Sequence, residues 1–208
     1  MPQAQQSPLD STKITVSQGL LGLNILMYGA QVASKDAITA WGAKVNQLIL
    51  AGQWWRLVTP AFFHGNIMHL VVNCYSLYNI APTLEGLCGG KRLIVTYLAA
   101  AVTGNVASFY GSAAPSLGAS GAVFGLGGAL AMYFYRNKEL YGKRSDFILK
   151  QLWQTLLLNI AYGFANPRID NWYVFYIFDC LLFKSSFRTL IYFHRAILCT
   201  QGWAIKRI

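Results

Sequence analysis

Four long stretches without a charged residue constrain this chain more than any other feature. They cover residues 14–34, 57–84, 93–135 and 151–167. A helix needs about 20 apolar residues to cross a bilayer, and the third stretch is long enough for two crossings. With 55% apolar and only 12% charged residues, the 208-residue chain is also more apolar than a soluble domain. The sequence therefore predicts an all-α, polytopic membrane helix bundle with five spans.

The same stretches divide the chain into three parts. Residues 1–13 form a polar N-terminal segment, residues 14–172 a membrane domain, and residues 173–208 a C-terminal segment of different composition. The reversal between the third and fourth spans falls at residues 111–116, where Gly, Ser, Ala and Pro cluster. The last segment predicts an atypical sixth span, because three charges interrupt it: Asp179, Lys184 and Arg188.

The net charge of +10 does not indicate a nucleic-acid partner, because the basic residues flank the apolar stretches instead of forming one patch. Their distribution follows the positive-inside rule and places the N-terminus on the cytosol-like side. The partners that we expect are the lipid bilayer and transmembrane proteins. Residues 1–13 show neither an Arg-rich amphipathic pattern nor a signal-peptide core, so the chain itself gives no organellar address.

The four cysteines do not indicate a metal site or a disulfide framework. Cys74, Cys88, Cys180 and Cys199 show none of the short paired spacings that such sites use. We expect free thiols, no metal and no cofactor.

Ser120 is the first candidate for chemistry. It stands at the start of a predicted apolar, glycine-rich helix, where unpaired N–H groups and the helix dipole favour a negative charge. A nucleophile and an oxyanion site can therefore share one turn. The alternative is that Ser120 is one more small residue on a packing face with Gly121 and Gly125, and the stretch alone leaves both interpretations open.

Polar side chains in the second apolar stretch form the next candidate group. His64, His69 and Asn73 are costly at membrane depth unless they have partners. His69 and Asn73 are four residues apart and share one helical face, whereas His64 points elsewhere if the helix extends that far. The alternative role is ordinary hydrogen bonding between helices.

The connector before this stretch contains Trp41, Trp54, Trp55 and Arg56. Indole and guanidinium groups suit the membrane–water boundary. An aromatic belt with an Arg that extends to the interface would explain them without any further role.

Together these residues resemble the rhomboid intramembrane serine proteases, in particular the plant organellar branch. The resemblance covers residues 54–172. The motifs that carry it are, in chain order, Trp55-Arg56, Thr59-Pro60, His64-x4-His69-x3-Asn73, Glu85, Gly118-Ala119-Ser120-Gly121 and residues 163–172.

The resemblance implies a six-helix bundle with a water-filled cavity, in which Ser120 cleaves a transmembrane substrate. It also implies that His69, Asn73 and the Ser120 N–H form the oxyanion site, and that His64 flanks it. Gly118 and Gly121 belong to the serine motif.

The same resemblance assigns supporting roles further from the serine. Trp55 and Arg56 would shape a connector that lies in the membrane, and Glu85 would help to brace that connector. Phe124 stands where many relatives carry a Tyr that packs against the catalytic His. As an integral membrane protein of this type, the chain would belong to a plastid or mitochondrial membrane.

One departure concerns the base. In the family, a Gly-His pair follows Asn171-Trp172, and that His activates the serine. Here the pair is Tyr173-Val174. His194 lies twenty residues past Val174, about 30 Å along a continuous helix. Asp179 is a weak base and, if buried, a neutral one.

The sequence therefore leaves three interpretations open. The chain is a rhomboid-like serine endopeptidase impaired by loss of its catalytic His, a non-catalytic member that binds transmembrane clients, or a truncated splice product. The abrupt change in composition after Trp172 is the reason for the third hypothesis.

Overall fold

A computed structural model of the protein describes residues 14–165. Those residues form a helical bundle, connected by short loops and two 3-10 turns. The helices are α1 (Val16–Ala33), α2 (Ala37–Gly42), α3 (Asn46–Leu50), α4 (Ile67–Cys88), α5 (Gly90–Gly111), α6 (Ser120–Arg136), α7 (Lys138–Tyr141) and α8 (Lys143–Ala165). The 3-10 turns are Trp54–Leu57 and Thr59–Phe62. The predicted segments 1–13 and 173–208, with the atypical sixth span, lie outside the described residues.

The all-α prediction is confirmed for the described part of the chain, and five of its helices correspond to the five predicted spans. The span count is only partly supported. By length and mean hydropathy alone, α5 is the one described helix that is long and apolar enough to cross a membrane.

Three helices begin or end at other residues than the uncharged stretches do. The second stretch becomes helical only at Ile67, because Asn66 caps α4 there by accepting a hydrogen bond from the His69 backbone N–H at 2.8 Å. At the other end, the three glycines and two basic residues of the stretch 85–92 favour a turn, but α4 continues to Cys88 and only Gly89 separates it from α5. The helix of the fifth predicted span, α8, already starts at Lys143. An ion pair of 3.0 Å between Lys138 and Asp146 joins α7 to the first turn of α8.

The proposed brace of the connector by Glu85 was also wrong. The Glu85 carboxylate accepts hydrogen bonds of 2.9 Å from the backbone N–H groups of Val16 and Ser17, and a further one from the Ser17 hydroxyl. It therefore stabilises the first turn of α1 at its positive dipole end. The connector joins α4 at the opposite end of that helix, five turns away from Glu85.

The glycines of α6 allow it to pack closely on α5. A Cβ added to Gly104 would lie 3.3 Å from the Cα of Gly121, and one added to Gly125 would lie 2.3 Å from the Cβ of Ala100. The small-residue packing face predicted for α6 is therefore present on its α5 side. The buried core continues from this contact through α4, with Leu77, Ile80, Tyr97, Val123 and Leu126 at its centre.

The connector between α1 and α4 is tied to the loop that precedes α6. Lys44 is fully buried, and its ammonium group, which has three N–H donors, lies within hydrogen-bond distance of four oxygen atoms of that loop and the end of α5. These are Ser108 O (3.1 Å), Ser108 Oγ (3.0 Å), Ser112 O (2.9 Å) and Ala114 O (3.0 Å). An antiparallel bridge between Lys44 and Ser116 adds two backbone hydrogen bonds. Lys44 therefore fixes the loop that leads to Ser120.

We expect Lys44→Met to destabilise the protein by about 3 kcal/mol, because it leaves several buried oxygen atoms without their donor. The apparent unfolding midpoint in detergent should fall by roughly 5–10 °C. It can be followed by the reactivity of the Cys74 and Cys88 thiols, both of which are free and half-buried. Lys35→Met is the control, since Lys35 is an exposed lysine of the same connector. Equal midpoints for the two variants would contradict the role of Lys44.

Candidate active site around Ser120

Ser120 is the first residue of α6 and is 6% exposed. The loop before it is held in place by a hydrogen bond of 2.9 Å from the Gly118 N–H to the Pro60 carbonyl. The serine therefore lies at a helix N-terminus with a fixed approach, as the sequence predicted. This position gives its hydroxyl the positive end of the α6 dipole and nearby unpaired N–H groups.

The surroundings of Gly118 show that the side chains of Ser120 and His69 line the same pocket. A Cβ added to Gly118 would lie 2.6 Å from Cε1 and 2.8 Å from Nε2 of His69, and 3.5 Å from Oγ of Ser120. The side chains of Ser120 and His69 therefore both border the space that a side chain at position 118 would occupy. The backbone of Gly118 also has a φ of +134°, which L side chains rarely adopt. Glycine is required here for both reasons.

The His69 imidazole presents its Nε2 edge to this space. Its Nδ1 accepts a hydrogen bond of 3.4 Å from the Gly65 N–H, and this contact favours the tautomer that carries the ring proton on Nε2. A neutral imidazole in this tautomer is a hydrogen-bond donor toward the serine, not a base. The geometry thus suits stabilisation of an oxyanion.

Asn73 follows His69 by one helical turn and is 3% exposed. Its Nδ2 donates to the His69 carbonyl at 2.8 Å, and its Oδ1 is buried without a partner. One of the two amide hydrogens is therefore still available to a ligand. The interhelical hydrogen bonds that we considered as an alternative role involve other α4 residues, such as Ser76, which accepts from Asn159 of α8 at 2.6 Å.

His64 lies in the loop before α4, and its ring packs edge-on against His69 at 5.3 Å. Gln31 of α1 holds its backbone, since the His64 N–H donates to Gln31 Oε1 and Gln31 Nε2 donates to the His64 carbonyl. Both ring nitrogens are buried without a partner.

A small cavity lies on the α5 side of Ser120. It has a volume of about 20 Å³, which is room for roughly one water molecule. The lining residues come from α5, the loop and the first turn of α6: Ala101, Gly104, Asn105, Ser108, Ser116, Leu117, Gly118, Ser120 and Gly121. The cavity is polar enough to hold water close to the serine.

Trp55 and Arg56 organise the connector. Trp55 stacks on Trp41 at 5.6 Å, and its indole N–H donates to the Trp41 carbonyl. Arg56 is only 3% exposed, and its guanidinium donates to the carbonyls of Ala40 and Ala43. It therefore binds the backbone of the connector and does not extend to the interface as an isolated cation.

The sequence analysis missed several residues that build this site. Asn66 caps α4, and an Asn immediately before the first apolar residue of a helix, here Ile67, is a readable N-cap signal. Tyr162 of α8 stacks on His69 with ring centroids 6.0 Å apart. Because this contact joins distant parts of the chain, no local pattern predicts it. The positions considered for a base, Val174, Asp179 and His194, lie outside the described residues.

Comparison with known proteins gives a consistent picture. A family model described as Rhomboid domain matches residues 51–173. The chain is 37% identical over 164 residues to "Rhomboid protease GluP" of Bacillus subtilis, a match that covers 76% of this chain and 32% of that protein. It is 35% identical over 135 residues to "RHOMBOID-like protein 9, chloroplastic" of Arabidopsis thaliana, covering 64% and 30%. The chain thus spans about a third of the length of these relatives.

Proposed function

The chain belongs to the rhomboid family of integral membrane proteins, and from this premise we propose that it is an intramembrane serine endopeptidase with impaired turnover. Its substrates are transmembrane proteins, and Ser120 is its nucleophile. The observation that supports the proposal most strongly is the shared space at Gly118, since a Cβ added there would lie 2.8 Å from His69 Nε2 and 3.5 Å from Ser120 Oγ.

The chemistry follows from this arrangement. Ser120 Oγ attacks the carbonyl carbon of the scissile peptide, and the carbonyl oxygen takes the π-electron pair and becomes an oxyanion. That oxyanion accepts hydrogen bonds from His69 Nε2–H, the free amide hydrogen of Asn73 and the Ser120 N–H. The oxyanion then re-forms the C=O bond as the C–N bond breaks, and the leaving amine takes the proton that came from Ser120, carried by water. A second water attacks the ester carbonyl, and its proton returns to Ser120 Oγ as the acyl group leaves as a carboxylate.

The weak step is removal of the serine proton. The position of the family's base is occupied by Val174, and the sequence contains only His194 besides the two site histidines. His69 is assigned as a donor through its bond to Gly65 and does not take the proton. We therefore infer that water accepts it, and that turnover is lower than that of a complete serine protease by up to about 10⁶-fold.

The missing His also favours a second function, which is binding of transmembrane clients without cleavage. The pocket, the connector and α8 would then hold the client, and Ser120 would have no chemical role. In either case the chain acts inside a bilayer. We propose a plastid or mitochondrial membrane, which the name of the chloroplastic relative supports only loosely.

The test is cleavage of a fluorescent transmembrane substrate in proteoliposomes. We expect slow cleavage by the wild-type chain and none by Ser120→Ala, because no other group replaces the hydroxyl. Ser112→Ala, in the loop before α6, is the matched control and should cleave at the wild-type rate. If the wild-type rate equals that of Ser120→Ala while a photo-crosslinkable client still binds, serine proteolysis is contradicted and client binding is supported.

A further inference from the structure

Tyr162 is a residue of α8 whose side chain contacts the proposed oxyanion site. Its ring stacks on the His69 imidazole at 6.0 Å with an interplanar angle of 27°. Its hydroxyl donates a hydrogen bond of 2.9 Å to Asn66 Oδ1. The same Asn66 oxygen accepts the His69 backbone N–H at 2.8 Å. Tyr162 thus contacts both the ring of His69 and the cap that positions its backbone.

A second constraint on the orientation of the His69 ring comes from the loop before α4. His64 packs edge-on against it at 5.3 Å and 71°, and the Gly65 N–H donates to its Nδ1. Rotation of the imidazole by half a turn about its Cβ–Cγ bond would lose the Gly65 bond and would put Cε1–H in the place of Nε2–H. The stacked Tyr162 ring lies in the path of that rotation, since an imidazole must leave its plane to turn.

We propose that Tyr162 is a positioning residue that keeps His69 in the orientation in which Nε2–H donates toward Ser120. The inference rests on the proposed function, because it assigns to Tyr162 the alignment of the oxyanion donor. Both parts of the side chain contribute. The hydroxyl anchors the ring to Asn66, and the ring face covers the imidazole.

The position of α8 makes this arrangement stable. Asn159, one turn before Tyr162, donates to Ser76 of α4 at 2.6 Å, and Gln151 donates to Asn79 at 3.3 Å. These two contacts remain when Tyr162 is changed, so α8 should stay on α4 in the variants.

The experiment measures labelling of Ser120 by a fluorophosphonate probe, read by intact-protein mass spectrometry. Tyr162→Phe keeps the stack and loses the anchor, and we expect labelling about threefold to tenfold slower. Tyr162→Leu also loses the stack, and we expect a decrease of about tenfold to a hundredfold, approaching the loss of an oxyanion donor. Tyr135→Leu, at an exposed tyrosine of α6, is the control and should label at the wild-type rate.

NMR of isotope-labelled histidine supplies a readout that a purely structural role would not change. We expect His69 to show the Nε2–H tautomer in the wild type and a mixture of tautomers in Tyr162→Leu. Unchanged His69 nitrogen shifts with labelling within twofold of wild type in both variants would overturn the inference. If the wild-type chain shows no Ser120-dependent labelling, the proposed function fails, and the NMR result alone supports or overturns the role of Tyr162.

Discussion

We expect the double substitution Tyr173→Gly and Val174→His to raise Ser120-dependent cleavage by at least about 10³-fold, because it returns a base to the position where the family carries one. The residues described here already supply a helix-terminal serine and a neutral imidazole donor. A proton acceptor is the part that they do not supply. The measurement is the initial rate of substrate cleavage in proteoliposomes, with Ser120→Ala added to the double variant as the negative control.

A matched variant separates the effect of the new base from the effect of the new glycine. Tyr173→Gly combined with Val174→Gln gives the same backbone freedom and a side chain of similar reach, but glutamine cannot accept the serine proton at neutral pH. We expect no increase from it. An equal increase in both variants would show that packing, and not the base, limits the wild-type chain.

Gly118→Ala should abolish the reactivity of Ser120 without unfolding the protein. The added Cβ would lie 2.6 Å from His69 Cε1, closer than two carbon atoms can approach, so the imidazole has to leave its place. We expect fluorophosphonate labelling to fall by at least about 100-fold, since the oxyanion donor is displaced. Labelling is compared with stability measured on the same preparation.

Gly52→Ala is the control for this substitution. Gly52 also has a positive φ, +95°, but a Cβ added there meets nothing within 4 Å. It should therefore show only the backbone strain, a loss of about 1 kcal/mol of stability, with wild-type labelling. If Gly52→Ala and Gly118→Ala lower labelling equally, the contact with His69 is not the cause.

The sequence predicts the long helices well, because each of them coincides largely with a long stretch that contains no charged residue. The stretch 14–34 became α1, and the cluster of small residues at 111–116 became the start of the loop between α5 and α6. It predicted the boundaries less well. Residues 57–66 are uncharged but contain Pro60 and the cap Asn66, and these local signals delay α4 until Ile67.

The candidate site was predictable where its residues are close in sequence or share a helical face. Ser120 at a helix start and the pair His69 and Asn73 on one face follow from spacing alone. The contacts of Tyr162 with His69 and of Glu85 with α1 depend on how distant helices pack. No spacing rule gives such contacts, and the role expected for Glu85 was wrong for that reason.

The structure of Ser120 after reaction with a fluorophosphonate tests the central claim most directly. We predict that the phosphonyl oxygen lies within about 3 Å of His69 Nε2 and faces the free amide hydrogen of Asn73. An adduct whose oxygen points away from His69, into the cavity beside Asn105 on the α5 side, would contradict the proposed oxyanion site.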